Sequence, residues 1–162
     1  MTMSEIPPRE GHARLSRLLH WLTAILVLTT IPAGLVMVEE GLPRPLQDAL
    51  FLYHKNVGPV ILILVILRLA VRALYPAPPL PPGVAPWQAT AAHGVHAGLY
   101  ACLVVMAVSG IVRVQAGGFP IELWDPWFGG LIAKNEALAK AAMAVHAWVR
   151  IVLILLIAAH IG

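Results

Sequence analysis

Seven histidines, His12, His20, His54, His93, His96, His146 and His160, are spread over 162 residues. Two of them bracket the stretch "HAWVRIVLILLIAAH", in which Arg150 is the only formal charge. Fourteen helical residues at about 1.5 Å and 100° each give roughly 21 Å of rise and only about 40° of drift, so His146 and His160 share one helix face at two depths. Arg68 stands at the same remove from His54. Neutral imidazoles are metal ligands, and histidines on facing helices can grip a flat macrocycle such as haem from both sides. Zinc, the competing metal, asks for a fuller set of ligands, and no Cys, Asp or Glu stands near these histidines inside the apolar segments.

The elements that must carry the imidazoles are set by composition. Hydrophobic residues make up 59% of the chain and charged ones 12%, with a mean hydropathy of +0.81, which is the profile of a membrane protein. Four apolar stretches are each long enough to cross a bilayer, at about 17–38, 53–75, 90–112 and 141–162. They predict an all-α membrane protein, an up-and-down four-helix transmembrane bundle occupying 1–162 as one domain. The first stretch is a retained helix rather than a signal peptide, and Pro32 is a place for it to bend. "EEGLPRPLQDAL", Glu39 to Leu50, reads as an exposed connection, "PAPPLPPGVAP" as a stiff proline linker, and Arg113 to Lys140 as a longer loop whose Trp124 and Trp127 suit the headgroup belt. The only cysteine, Cys102, lies in an apolar run, so disulfides and covalent haem attachment are excluded and any haem is held non-covalently. The 11 Lys and Arg residues are scattered without a basic block, which argues against nucleic acid as a partner.

Alternating spans sort the histidines by depth. His20, His93, His96 and His160 fall near one membrane face and His54 and His146 near the other, with His12 in the N-terminal tail. Arg9, Arg14 and Arg17 precede the first span and favour a cytoplasmic N-terminus, although the 11 positive charges as a whole divide almost evenly between the two sides and do not decide the orientation. With that orientation the first level is called inner and the second outer. The outer level offers a single pair, His54 with His146. At the inner level His160 shares the face of His146 and is one ligand, with His20 on the adjacent first helix as its partner. His93 and His96 are then left to shape the inner haem's surroundings or a quinone site. Gly58, one turn past His54, would admit a macrocycle, and Gly98 and Gly110 would thin the third helix similarly. Arg68 at the inner level and Lys55 and Arg150 at the outer are candidates to meet haem propionates. Taken singly, each feature has a plainer use: interfacial histidines, packing glycines, a snorkelling Arg68, and packing for Cys102 and the methionines. Four histidines at matched depths favour two haems.

The segments "RLLHW", "YHKNVG", "RLAVRALYPAPP" and "AHGVHAGLY", with the His146 to His160 spacing, resemble the bacterial cytochrome b-561 family over nearly the whole chain, from about Arg14 to His160. The resemblance implies a di-haem cytochrome of the inner (plasma) membrane with two haem b, His20 and His160 on the cytoplasmic-side iron and His54 and His146 on the periplasmic-side iron. It implies electron flow between a small-molecule or protein donor at the outer face and the ubiquinone pool. One type of member is a superoxide oxidase, and Lys55, Arg113, Lys134, Lys140 and Arg150 would draw a small anion to the outer face. The alternative is a haem-bearing anchor subunit passing electrons from a hydrogenase or formate-dehydrogenase type partner to quinone. A purely structural helical membrane protein would carry no haem. Family members run on past the last ligand, whereas this sequence stops two residues after His160, so either the sequence is a truncated one or the inner end of the fourth helix is frayed.

Overall fold

A computed structural model describes residues 10–75 and 83–162, with side chains from residue 14 onward. It contains α1 (Glu10–Val36), α2 (Arg44–Leu74), α3 (Pro86–Ala116), the short α4 (Asp125–Phe128) and α5 (Glu136–Ile161). No strand occurs among the described residues. Four of the helices, all but α4, are long and apolar enough to cross a membrane, so the chain is a multi-pass membrane protein with a four-helix bundle.

The helices outrun the apolar stretches that announce them. Hydropathy marks only the part immersed in hydrocarbon, about 30 Å deep. The 31 residues of α2 and of α3 span roughly 46 Å at 1.5 Å each. Arg44–Leu50, expected in a connection, therefore forms the first two turns of α2. Pro45 is tolerated there because a first-turn residue has no N–H to contribute to the helix. Gly41, at φ +83°, turns the chain into it. His12, expected in a tail, belongs to α1. Most of the proline linker, 76–82, lies outside the described residues. At the other end α5 is helical through Ile161, with the Gly162 N–H bonded to the Ala158 carbonyl at 3.1 Å, so the last turn is not frayed. Its start is fixed by Asn135, whose side-chain oxygen accepts from the Leu138 N–H at 3.0 Å.

The packing is in two halves. α1 lies against α2, α3 against α5, and α2 joins the halves through α3. Among the described residues no Cα of α5 comes within 8 Å of one in α1 or α2. Lipid-facing sides are apolar, as the bilayer requires, with Trp21 and Trp87 exposed at inner-level ends and Trp127 and Trp148 at outer-level ends. The buried core is a thin layer of Val27, Ile61, Val65, Leu103 and Leu153. Val27, Ile61, Leu103 and Leu153 each stand seven residues after His20, His54, His96 and His146. This puts the aliphatic layer midway between the two histidine levels.

Candidate functional site: two facing imidazole pairs

At the outer level α1 seats the ring of His54. The carbonyl of Thr30 lies 3.1 Å from Nδ1, and because a carbonyl only accepts, Nδ1 carries the proton and Nε2 a lone pair. Gly34, one turn on, leaves room for the ring: a Cβ there would stand 2.5 Å from its Cε1 and 2.8 Å from Nδ1. Opposite, α3 seats His146. The Ser109 hydroxyl donates to the Met106 carbonyl at 3.2 Å and lies 3.1 Å from His146 Nδ1, so it accepts the Nδ1 proton and leaves Nε2 of this ring also bare. Gly110 lies against the same ring, with a Cβ placed 3.4 Å from Cε1.

The His54 and His146 rings face each other with centroids 6.1 Å apart and planes 72° apart. A metal held between two imidazole nitrogens at about 2 Å from each leaves the centroids about 6 Å apart. Spacing and lone pairs thus fit an iron gripped from both sides. Two further observations suit a group between the helices. A Cβ at Gly58 would meet nothing within 4 Å. The Thr30 hydroxyl is buried without a partner, whereas those of Thr23, Thr29 and Thr90 turn back onto carbonyls of their own helices.

At the inner level His20 and His160 face each other at 6.2 Å with planes 75° apart. His96 stands closer to His160, at 5.1 Å, which is too short for a metal between the rings. Distance alone therefore favours His20 over His96 as the partner of His160. The half-buried Arg68 does not reach for the interface. Its Nη2 donates to His20 Nδ1 at 3.0 Å, and its guanidinium carbon stands 5.3 Å from the centre of the Tyr100 ring. For His20 to offer Nε2 to iron, its proton must sit on Nδ1 and Arg68 must turn to another acceptor. A haem propionate is such an acceptor. His93 is exposed, and its Nδ1 donates to the Ala89 carbonyl of its own helix at 2.7 Å.

Several residues have uses that differ from the sequence-based expectation. The Lys55 ammonium pairs with Glu122 and donates to the Pro120 carbonyl at 3.0 Å, which ties it to the loop before α5. Gly98 serves tight helix packing, since a Cβ there would come 3.0 Å from Leu156. Trp124 is half-buried and donates from Nε1 to the Asn56 carbonyl at 2.9 Å, so it fastens the loop before α5 instead of joining the headgroup belt. Asn56, 5% exposed, holds the same loop through Glu122 at 2.8 Å and the Leu123 N–H at 2.9 Å. Burial pushes the Glu122 carboxyl upward, but the hydrogen bonds from Lys55, its own backbone and Asn56 outweigh this and hold it below the usual carboxylate range. Arg113, expected in that loop, is in the last turn of α3, within electrostatic reach of both His54 and His146. Arg150 reaches His146 in the same way.

Comparison with known proteins shows the family of the chain. Residues 11–162 match the family described as prokaryotic cytochrome b561. The chain is 30% identical to cytochrome b561 homolog 2 of Escherichia coli (strain K12) over 150 residues, covering 91% of this chain and 78% of the relative. It is 28% identical over 127 residues to the probable superoxide oxidase CybB of Yersinia pestis, covering 78% of this chain and 68% of that protein. A membrane-spanning bundle with imidazoles facing at the spacing of a bis-histidine iron, matched along nearly its whole length, belongs to the prokaryotic cytochrome b561 family and is a b-type membrane cytochrome of electron transfer.

Proposed function

We propose that this cytochrome carries two haem b, one between His54 and His146 and one between His20 and His160, and moves single electrons from superoxide at the outer face to ubiquinone. The observation that carries this reading is the pair of matching ring separations, 6.1 and 6.2 Å, at two depths. The whole of 1–162 acts as one unit in the bacterial inner membrane, with the N-terminus in the cytoplasm. The haems, when bound, supply reversible one-electron chemistry at the two levels.

The chain's own residues do the rest. Among the described residues Arg113, Lys134 and Arg150 have no carboxylate within 4.0 Å, while Lys55 and Lys140 are paired with Glu122 and Glu136. The three unpaired cations therefore give the outer side a field that attracts a small anion. Each superoxide surrenders one electron and leaves as dioxygen. The Val27, Ile61, Val65, Leu103 and Leu153 layer keeps water and ions from following the electron. At the inner level two electrons and two protons convert ubiquinone to ubiquinol, with His93 and His96 supplying imidazoles near that face. The name borne by the Yersinia relative supports superoxide as the donor. The test is to purify the protein with its haems, add superoxide anaerobically and then ubiquinone. Rapid haem reduction followed by reoxidation on quinone addition is expected; haems that superoxide leaves oxidised would turn attention to a protein donor.

A further inference from the structure

We propose that Gly34 and Ser109 are positioning residues that hold the rings of His54 and His146 crossed, and so set the electronic state of the outer iron. The inference rests on the reading of these two histidines as its ligands and goes beyond that reading to what fixes their orientation.

An imidazole joined to iron by one bond is free to turn about that bond, so the angle between two axial rings belongs to the surroundings. Around His54 two contacts from α1 remove the freedom. The Thr30 carbonyl fixes the direction of Nδ1 at 3.1 Å, and the Gly34 backbone is so near the ring edge that a single added methyl would stand 2.5 Å from Cε1. Around His146 the Ser109 hydroxyl fixes Nδ1 at 3.1 Å, with its own proton committed to Met106. Gly110 leaves room beside the ring, a Cβ there reaching ordinary van der Waals contact with Cε1 at 3.4 Å. The result is a 72° angle between the planes. The contacts on His54 come from α1 and those on His146 from α3, so His54 cannot rotate without breaking a hydrogen bond or striking the Gly34 backbone, and His146 cannot rotate without breaking its bond to Ser109. Arg68, a long side chain, is by contrast the hydrogen-bond partner of the inner His20.

The angle has an electronic consequence. Each ring's π system overlaps one of two iron d orbitals; crossed rings engage both alike and keep them close in energy, whereas parallel rings engage one and split them. In the oxidised, low-spin state that splitting is read directly by electron paramagnetic resonance, where a smaller splitting moves the low-field signal to lower field.

The experiment records these spectra on oxidised, haem-loaded protein in detergent for wild type, Gly34→Ala, Ser109→Ala and Ser109→Thr, with the inner signal as internal reference. Gly34→Ala is expected to shift or abolish the outer signal while the inner one stays in place. Ser109→Ala is expected to shift the outer signal toward the position of more nearly parallel rings, and Ser109→Thr, which keeps the hydroxyl, to restore it. Unchanged outer signals in Gly34→Ala and Ser109→Ala, or a threonine variant no closer to wild type than the alanine one, would overturn the proposal. Failure of wild-type protein to bind haem at this level would instead overturn the ligand assignment, so the two failures are distinguishable.

Discussion

Arg68 and His20 are joined by one hydrogen bond of 3.0 Å, given by the guanidinium and taken by Nδ1. The cation thus stands at the inner level, beside the ring that faces His160. A positive charge about 6 Å from a redox centre, at an effective dielectric near 20, favours the reduced state by about 1–3 kcal/mol. Arg68→Leu is expected to lower the inner haem's midpoint potential by that order and to leave the outer one, roughly 20 Å further along the helix, nearly unmoved. Redox titration with optical detection measures both. An inner potential that stayed put would mean that Arg68 only packs.

The proposed pairing at two levels predicts two haems per chain. Pyridine haemochrome analysis against protein concentration should approach two, and a value of one would remove a level. His54→Ala and His146→Ala should abolish the same spectral component, because their rings face each other at 6.1 Å. Loss of different components would break the pairing.

His96 provides a sharper test of the inner pair. Its ring lies 5.1 Å from that of His160, closer than an intervening iron permits. His96→Ala should therefore keep the full haem content and slow quinone reduction, whereas His20→Ala should lose the inner component. The reverse result would make His96 the ligand.

Acid should loosen the loop before α5. A carboxyl held below its ordinary range stabilises the folded form above its unfolded value, near 4.3, and that contribution is lost as pH falls through the folded value. Glu122 is such a group. Protection of the Leu123 amide hydrogen, which bonds Asn56 Oδ1 at 2.9 Å, taken as its exchange rate relative to an unfolded amide at the same pH, should hold from neutrality into mild acid and be lost as Glu122 protonates. In Glu122→Gln the same amide should be less protected at neutrality, and its protection should respond little to acid. If wild type and variant kept parallel profiles, the Glu122 bond would not be what holds the loop.

The histidine levels were legible in the sequence because polar groups inside apolar helices stand out, and because fourteen residues return a helix to nearly the same face. The same step leads from His20 to Gly34 and from His96 to Gly110. Those glycines were harder to assign, since a small residue in a membrane helix has ordinary packing uses. Thr30 and Ser109 could not be found that way at all. Their contacts depend on how α1 turns toward α2 and α3 toward α5, which no single helix encodes. The Lys55 ion pair was hidden for a related reason: its partner, Glu122, is 67 residues away in a loop without periodicity. Helix ends were misplaced because hydropathy reports lipid depth, while α2 and α3 extend beyond the hydrocarbon.

The aliphatic layer between the levels also has an electrical meaning. With Val65 fully buried and Val27, Ile61, Leu103 and Leu153 around it, the layer between the levels is aliphatic and offers a counter-ion no polar side chain to bind. The proposed transfer between the levels would therefore move net charge along roughly 21 Å of a hydrocarbon core about 30 Å thick. A full crossing is worth about 2.3 kcal/mol per charge at 100 mV, so the step between levels works against roughly two-thirds of that in an energised cell. The division of electrons between the two levels should then follow the membrane voltage, making the bundle a device whose internal equilibrium reports how strongly the membrane is charged.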